Sequence, residues 1–269
     1  MVLGGAAALL ATRSNAAENP FLLNGQAVQG GWLRGRVPPG TTTLRLDDQR
    51  VPVATDGAFL IAFDRDAAPM AALTADTSGG TVRHTVIVAP RDWPIEHINT
   101  PMHPAGVPDA EFARIRTTEL VRIRAARAHD TGAQGWRQAM IRPAKGPMSG
   151  RFGAQRVFRG VAAAFHSGMD IAAAAGSAIV APADGVVVLA ATADLFTLEG
   201  HLVIIDHGMG LNSAMLHAHA LSIDEGAVLN QGQTIGQVGM TGRATGPHLH
   251  WSLTWHGRRL DPLLVTLRG

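Results

Sequence analysis

Two histidines, His248 and His250, end the polar stretch Gly242-Arg-Ala-Thr-Gly-Pro-His-Leu-His250 and begin a run that closes at Trp255. The Gly- and Pro-containing part predicts a loop, and the run after it a strand over 248–255. Side chains alternate across a strand, so both imidazoles face one side while Leu249 and Trp251 face the other. Imidazoles are poor core material, because each brings a polar ring nitrogen that needs a partner. They suit a metal ligand beside a catalytic histidine. An isolated pair of this kind also fits a solvated or hydrogen-bonded strand, and what weighs against that reading lies upstream.

His166-Ser-Gly-Met-Asp170 sets an imidazole and a carboxylate four residues apart, and Gly168 between them disfavours a helix. The segment therefore predicts a loop or strand entry from which both side chains turn inward. Carboxylate oxygen with imidazole nitrogen suits Zn²⁺, and His250 makes a third ligand, leaving the fourth position for water or substrate. Ser213-Ala-Met-Leu-His217-Ala-His219 adds two imidazoles at alternate positions of another expected strand. Three such segments in a chain with 12 histidines are hard to explain as core filling.

The elements that must carry these residues are short strands. The 269 residues are 46% hydrophobic and only 16% charged, with 31 glycines and 15 prolines, a composition that favours strands and tight turns over long solvated helices. Basic and acidic residues number 23 and 21, and no dense basic run occurs, so no nucleic-acid partner is implied. Cysteine is absent, which excludes disulfides, thiolate catalysis and Cys-based zinc sites. Residues 1–17 read as a signal-peptide remnant: an apolar small-residue run, then Ser14-Asn15-Ala16 as a cleavage candidate, without a basic start, as if the true start codon lay upstream. No later stretch has transmembrane length. Residues 18–90 predict a small immunoglobulin-like β-sandwich, its strands separated by turns such as Pro38-Pro39-Gly40 and Thr55-Asp56-Gly57. Residues 91–135 predict a Pro-rich linker and an Arg-rich helix, with Phe112, Ile115, Leu120 and Ile123 inward and the arginines solvated beside Glu111 and Glu119. Residues 136–269 predict a Gly-rich, mostly antiparallel sheet that holds all three histidine segments.

With these motifs in hand, residues from about 140 to 265 resemble the LytM/lysostaphin-type zinc endopeptidases that cut peptide cross-links in bacterial cell walls. The resemblance is carried by five motifs. They are His166-x-x-x-Asp170, Val180-Ala-Pro-Ala-Asp-Gly-Val186, Ile205-Asp-His-Gly208, the strand histidine upstream of Gly226 to Gln233, and Gly242-Arg-Ala-Thr-Gly-Pro-His-Leu-His250. The layout as a whole is similar to periplasmic members from Gram-negative bacteria.

The resemblance implies a mainly β, lysostaphin-like metallopeptidase fold, with one zinc held by His166, Asp170 and His250. It implies catalytic roles for His248 and for the strand histidine, which the distance to Gly226 assigns to His217; His219 would line the same cleft. His201, His207 and His256 are expected to be structural. Zinc would lower the pKa of a water towards ~7 and polarise the scissile carbonyl, while one histidine takes a proton and another meets the developing oxyanion. No His-Glu-x-x-His helix is present to supply a glutamate base. The expected substrates are peptidoglycan stem peptides and cross-links, in a periplasmic or secreted location. A regulatory cell-envelope protein is a further expected partner. Two other readings are a non-catalytic protein that activates a cell-wall amidase and a zinc-stabilised wall-binding module without turnover.

Overall fold

A computed structural model of the chain describes residues 20–99 and 108–266. The expected signal-peptide remnant at 1–17 lies outside the described residues, as do 100–107 of the expected linker.

Seven strands come first: β1 (Leu22–Gly25), β2 (Trp32–Arg36), β3 (Thr41–Leu46), β4 (Gln49–Val51), β5 (Ala58–Ala62), β6 (Met70–Thr77) and β7 (Gly80–Ile87). They form antiparallel sheets of order β1-β2-β5 and β4-β3-β6-β7. Strand β6 shows why: Ala71, Leu73 and Ala75 alternate with exposed or half-buried neighbours, so one face is buried and the other meets water. Leu44, Leu46, Phe59 and Ile61 are buried in the same cluster, which continues into the C-terminal sheet. Polar contacts cross the same seam. Arg91 pairs with Asp261 at 2.7 Å, and the Asp64 carboxylate accepts from the Arg259 N–H at 3.0 Å.

The linker is more structured than its composition suggests. Ile95–Ile98 forms β8, which runs parallel to a strand of the C-terminal region and sets Glu96 opposite Arg156. Four residues are too few for a periodicity to show in sequence. Helix α1 (Asp109–Arg127) begins after Pro108, with Asp109 and Glu111 at its positive end and Arg124 and Arg127 at its negative one. Its buried residues are Phe112, Glu119, Ile123 and Ala126, while Leu120 is 36% exposed. The expected solvated carboxylate and buried leucine have exchanged places.

Twelve strands follow: β9 (Met148–Gly150), β10 (Gln155–Phe158), β11 (Val161–Ala162), β12 (Met169–Ala172), β13 (Ala178–Val180), β14 (Gly185–Phe196), β15 (Gly200–Asp206), β16 (Leu211–Leu221), β17 (Val228–Leu229), β18 (Thr234–Val238), β19 (His248–Trp255) and β20 (Arg258–Leu260). Strand β8 pairs with β10. The main sheet has ten strands in the order β17-β14-β15-β16-β19-β12-β9, with β13, β18 and β20 attached beside it. All its pairings are antiparallel. The architecture is the mainly β, lysostaphin-like one that the sequence implied.

Strand β19 lies at the middle of this sheet. Leu249, Trp251, Leu253 and Trp255 are fully buried on one face, where a large apolar side chain contributes about 1.5–3 kcal/mol. The opposite face carries His250, Ser252 and Thr254, also buried. Helix α1 packs on the sheet through Ile123 and Ala126, against Leu189, Phe196, Leu202, Ile204 and Ala214. Polar side chains on a doubly covered strand need partners, and His250 finds its own on β12.

Candidate metal centre

The β12–β19 register sets Asp170 opposite His250 and Ala172 opposite His248. Both Asp170 and His250 thus project from the same face of adjacent strands. His166 comes from the loop before β12, fixed at its backbone: its N–H donates to the Ala154 carbonyl and its own carbonyl accepts from Gly153, each at 2.8 Å. Its Nδ1 lies 2.9 Å from the Arg151 carbonyl, which can only accept, so Nδ1 carries the proton and Nε2 a lone pair. That Nε2 lies 3.0 Å from Asp170 Oδ1 and 3.0 Å from His250 Nδ1, and the latter two atoms are 2.7 Å apart.

Three electron-rich atoms thus converge, all within 4.8 Å of one another. A lone pair held 3 Å from a carboxylate oxygen is repulsive unless a cation or proton sits between them. Two imidazoles and a carboxylate are a donor set that suits Zn²⁺, and the arrangement fits a bound divalent cation. The carbonyl behind His166 and a guanidinium behind Asp170 supply the supporting contacts that metal-binding side chains require. The latter is Arg156, whose Nη2 donates to Asp170 Oδ2 at 3.1 Å and whose Nε lies 3.7 Å from the Glu96 carboxylate. Burial alone would raise the Asp170 carboxyl, but the two imidazoles against it, His166 and His250, hold it well below the usual carboxylate range whenever they carry positive charge.

Two glycines close the floor. A Cβ on Gly150 would lie 2.4 Å from Asp170 Oδ2 and 2.9 Å from His166 Cε1. One on Gly168 would lie 2.4 Å from the Trp251 carbonyl and 2.7 Å from His250 Nε2.

Two further histidines stand beside this trio. The His217 and His248 rings are 4.9 Å apart, and His217 is 6.3 Å from the His250 ring. Nδ1 of His217 donates to the Thr241 carbonyl at 2.9 Å, and Nδ1 of His248 to the Gly246 carbonyl at 2.8 Å. Each is thereby left with a lone pair on Nε2, and that of His248 lies 3.9 Å from Asp170 Oδ1. Burial, followed by the neighbouring His250 and His248, lowers His217 to about 3, so it stays neutral in the metal-free protein. His166, His217 and His250 border a cavity of about 350 Å³ whose other walls include Phe112, Phe158 and Arg243.

Comparison with known proteins places this geometry. Residues 164–262 match Peptidase family M23. The chain carries an M23 domain. Over 102 residues it is 39% identical to the DD-carboxypeptidase/endopeptidase Mpg of Neisseria meningitidis serogroup B, a match covering 38% of this chain and 23% of that protein. A similar stretch is 36% identical to the peptidoglycan DD-endopeptidase ShyA of Vibrio cholerae, covering 38% and 23%. The chain therefore spans about a quarter of the length of these relatives. A solved structure described as a peptidase M23 from Pseudomonas aeruginosa superposes with a TM-score of 0.69 at 26% identity, covering 89% of this chain and 95% of that one.

Within the M23 domain the remaining histidines part company. His217 has a φ of +66° and sits in an irregular part of β16, whose pairing with β15 slips between His201 and Val203 and whose pairing with β18 slips between its own Ala218 and Ala220. This irregularity breaks the alternation that would have set His217 and His219 on one face. His217 is buried, whereas His219 is exposed and does not border the cavity. His207 is a structural residue. Its Nδ1 donates to the Asp184 carbonyl and its Nε2 accepts from the Ser213 hydroxyl, both at 2.7 Å. Arg156 and Glu96 belong to none of the motifs read from sequence. Their role depends on the β8–β10 register, which no local signal announces.

Proposed function

We propose that this chain is a zinc-dependent endopeptidase that hydrolyses peptide cross-links of bacterial peptidoglycan. The observation that carries the reading is the meeting of three metal-competent atoms with two histidines whose Nε2 lone pairs stand beside them. In this reading His166 Nε2, Asp170 Oδ1 and His250 Nδ1 hold the ion, and the M23 match over 164–262 supports the choice of zinc. Zinc bound there supplies Lewis-acid chemistry, acidifying a water and polarising the scissile carbonyl.

The chain's own residues do the rest. Arg151 and Arg156 orient His166 and Asp170 from behind. His217 and His248 act as a pair: they take the proton of the attacking water, return one to the leaving amine and hydrogen-bond the developing oxyanion. Their Nδ1–carbonyl bonds fix the ring planes and direct Nε2 at the substrate. Phe112 and Phe158 give the cavity apolar walls for a stem peptide. A cell-envelope location follows from such a substrate. Among the described residues no helix is long and apolar enough to cross a membrane.

The test is mass spectrometry of purified cross-linked muropeptides incubated with the full chain, with and without a zinc chelator. Chelator-sensitive conversion of dimers to monomers is the expected result, and the fragment masses name the bond. Intact dimers after incubation with protein that holds one zinc would remove the reading in favour of a non-catalytic amidase activator.

A further inference from the structure

The inward stripe of α1 runs Phe112, Arg116, Glu119, Ile123, Ala126, all buried but the half-buried Arg116, at the spacing by which a helix packs on a sheet. Its two middle positions are charged. Burying an ion pair in place of apolar side chains is commonly neutral or destabilising, so packing does not account for Arg116 and Glu119. What they hold does.

Both grip residues 197–199, the turn between β14 and β15. Glu119 accepts from the Thr197 backbone N–H at 2.5 Å and from its hydroxyl at 2.6 Å. Arg116 donates through Nη1 and Nη2 to the two oxygens of Glu199, at 2.6 and 2.5 Å, and through Nη1 to Glu119 at 2.7 Å. Burial works against the charge of Arg116, but Glu199 and then Glu119 outweigh it and raise its pKa. The other side of the same turn faces the metal centre. Its Glu199 carbonyl accepts from the His217 N–H at 2.8 Å, and its Leu198 carbonyl from the Arg243 N–H at 2.9 Å. His217 is non-glycine backbone at positive φ, a conformation that persists only where surroundings enforce it.

We propose that α1 is a positioning element of the active site, in which Arg116, through Glu199, holds the backbone of His217 in place for catalysis. The inference rests on His217 being one of the assisting histidines. Arg116 and Glu199 border the cavity, but their carboxylate–guanidinium contact is with each other, so they are positioning residues. The helix lies outside residues 164–262, the segment that matches the M23 family.

The experiment compares Arg116→Met and Glu199→Gln with the wild-type full chain, using Arg114→Ala on the exposed side of α1 as control. In both variants, assayed at a temperature where each remains folded, kcat should fall tenfold to about a hundredfold, the scale of an ångström-level misplacement, with KM and zinc stoichiometry unchanged. Arg114→Ala should match wild type. The double variant should be no worse than the poorer single one, because both remove the same contact. Amide hydrogen exchange at His217 should be at least tenfold faster in Arg116→Met, a readout that needs no turnover. Wild-type exchange at His217 in Arg116→Met would overturn the proposal. So would a fall in kcat matched by lost zinc. If exchange quickens while neither wild type nor variant cuts muropeptides, the positioning of His217 stands and the catalytic reading is what fails.

Discussion

Two buried histidine sites share the main sheet, and they differ in one respect. Around His207 every ring atom is satisfied: a carbonyl takes the Nδ1 proton, and the Ser213 hydroxyl gives its own to Nε2. The Ser213 oxygen in turn accepts the Trp251 indole N–H at 3.4 Å. Around His250 the Nε2 lone pair of His166 and the Nδ1 of His250 crowd one carboxylate oxygen at 3.0 and 2.7 Å. His207 and His166 are equally buried, so burial does not separate a structural histidine from a functional one. The balance of donors and acceptors does. One site is complete as folded; the other fits a bound cation.

The comparison makes its strongest claim about metal. Asp170→Ala or His250→Ala should abolish zinc binding, measured by elemental analysis, and bring hydrolysis to background. Adding zinc at a hundred times its Kd should stabilise wild type by about 2.7 kcal/mol and leave either variant's melting curve unmoved. Zinc retained at full occupancy by Asp170→Ala would break the contrast.

Next come the two histidines beside the trio. His217→Ala and His248→Ala should keep zinc and lose about 10²–10⁴-fold in kcat, the usual contribution of positioned acid–base groups. Loss of zinc in His248→Ala to the extent seen in His250→Ala would move it among the ligands.

Arg156 tests whether support from behind matters. Arg156→Met leaves Asp170 Oδ2 without its guanidinium and should weaken zinc affinity about 10–100-fold in a competitive chelator titration. Unchanged affinity would make Arg156 a packing residue.

The smallest effect belongs to the satisfied site. Burial lowers the His207 pKa below 6.5, so the folded state binds its proton less readily than the unfolded chain does. Stability from this group is fully present above pH ~6.5 and falls as pH drops below it, by at most about 1.4 kcal/mol per unit. Denaturant melts of the zinc-free protein between pH 7.5 and 5.5 should show a shallower decline for His207→Gln than for wild type. Equal slopes would mean that His207 is not held neutral.

Much of this was legible in the sequence because it was local. The expected strand over 248–255 coincides with β19, since its alternation is complete within a few residues. The spacing of His166, Asp170 and His250 announced a cluster. What escaped was set by contacts distant in sequence. Nothing local marks the irregularity at His217, so alternation extended over 217 and 219 gave His219 a cleft position that the exposed ring does not take. Glu119 looked like a solvated partner for the arginines because its acceptor role depends on Thr197. Strand β8 hid in a proline-rich segment, its partner some sixty residues downstream in the sequence.

The glycine at the floor of the centre has a practical side. Gly168 leaves room for hydrogen and nothing larger, with the Trp251 carbonyl and the His250 ring both in the way. A single added methyl group there would displace the imidazole while every ligand kept its identity. If the proposed function holds, Gly168→Ala is thus the smallest edit that should produce an inert decoy, a protein with the charge, surface and donor set of the wild type that still meets its substrate without cutting it.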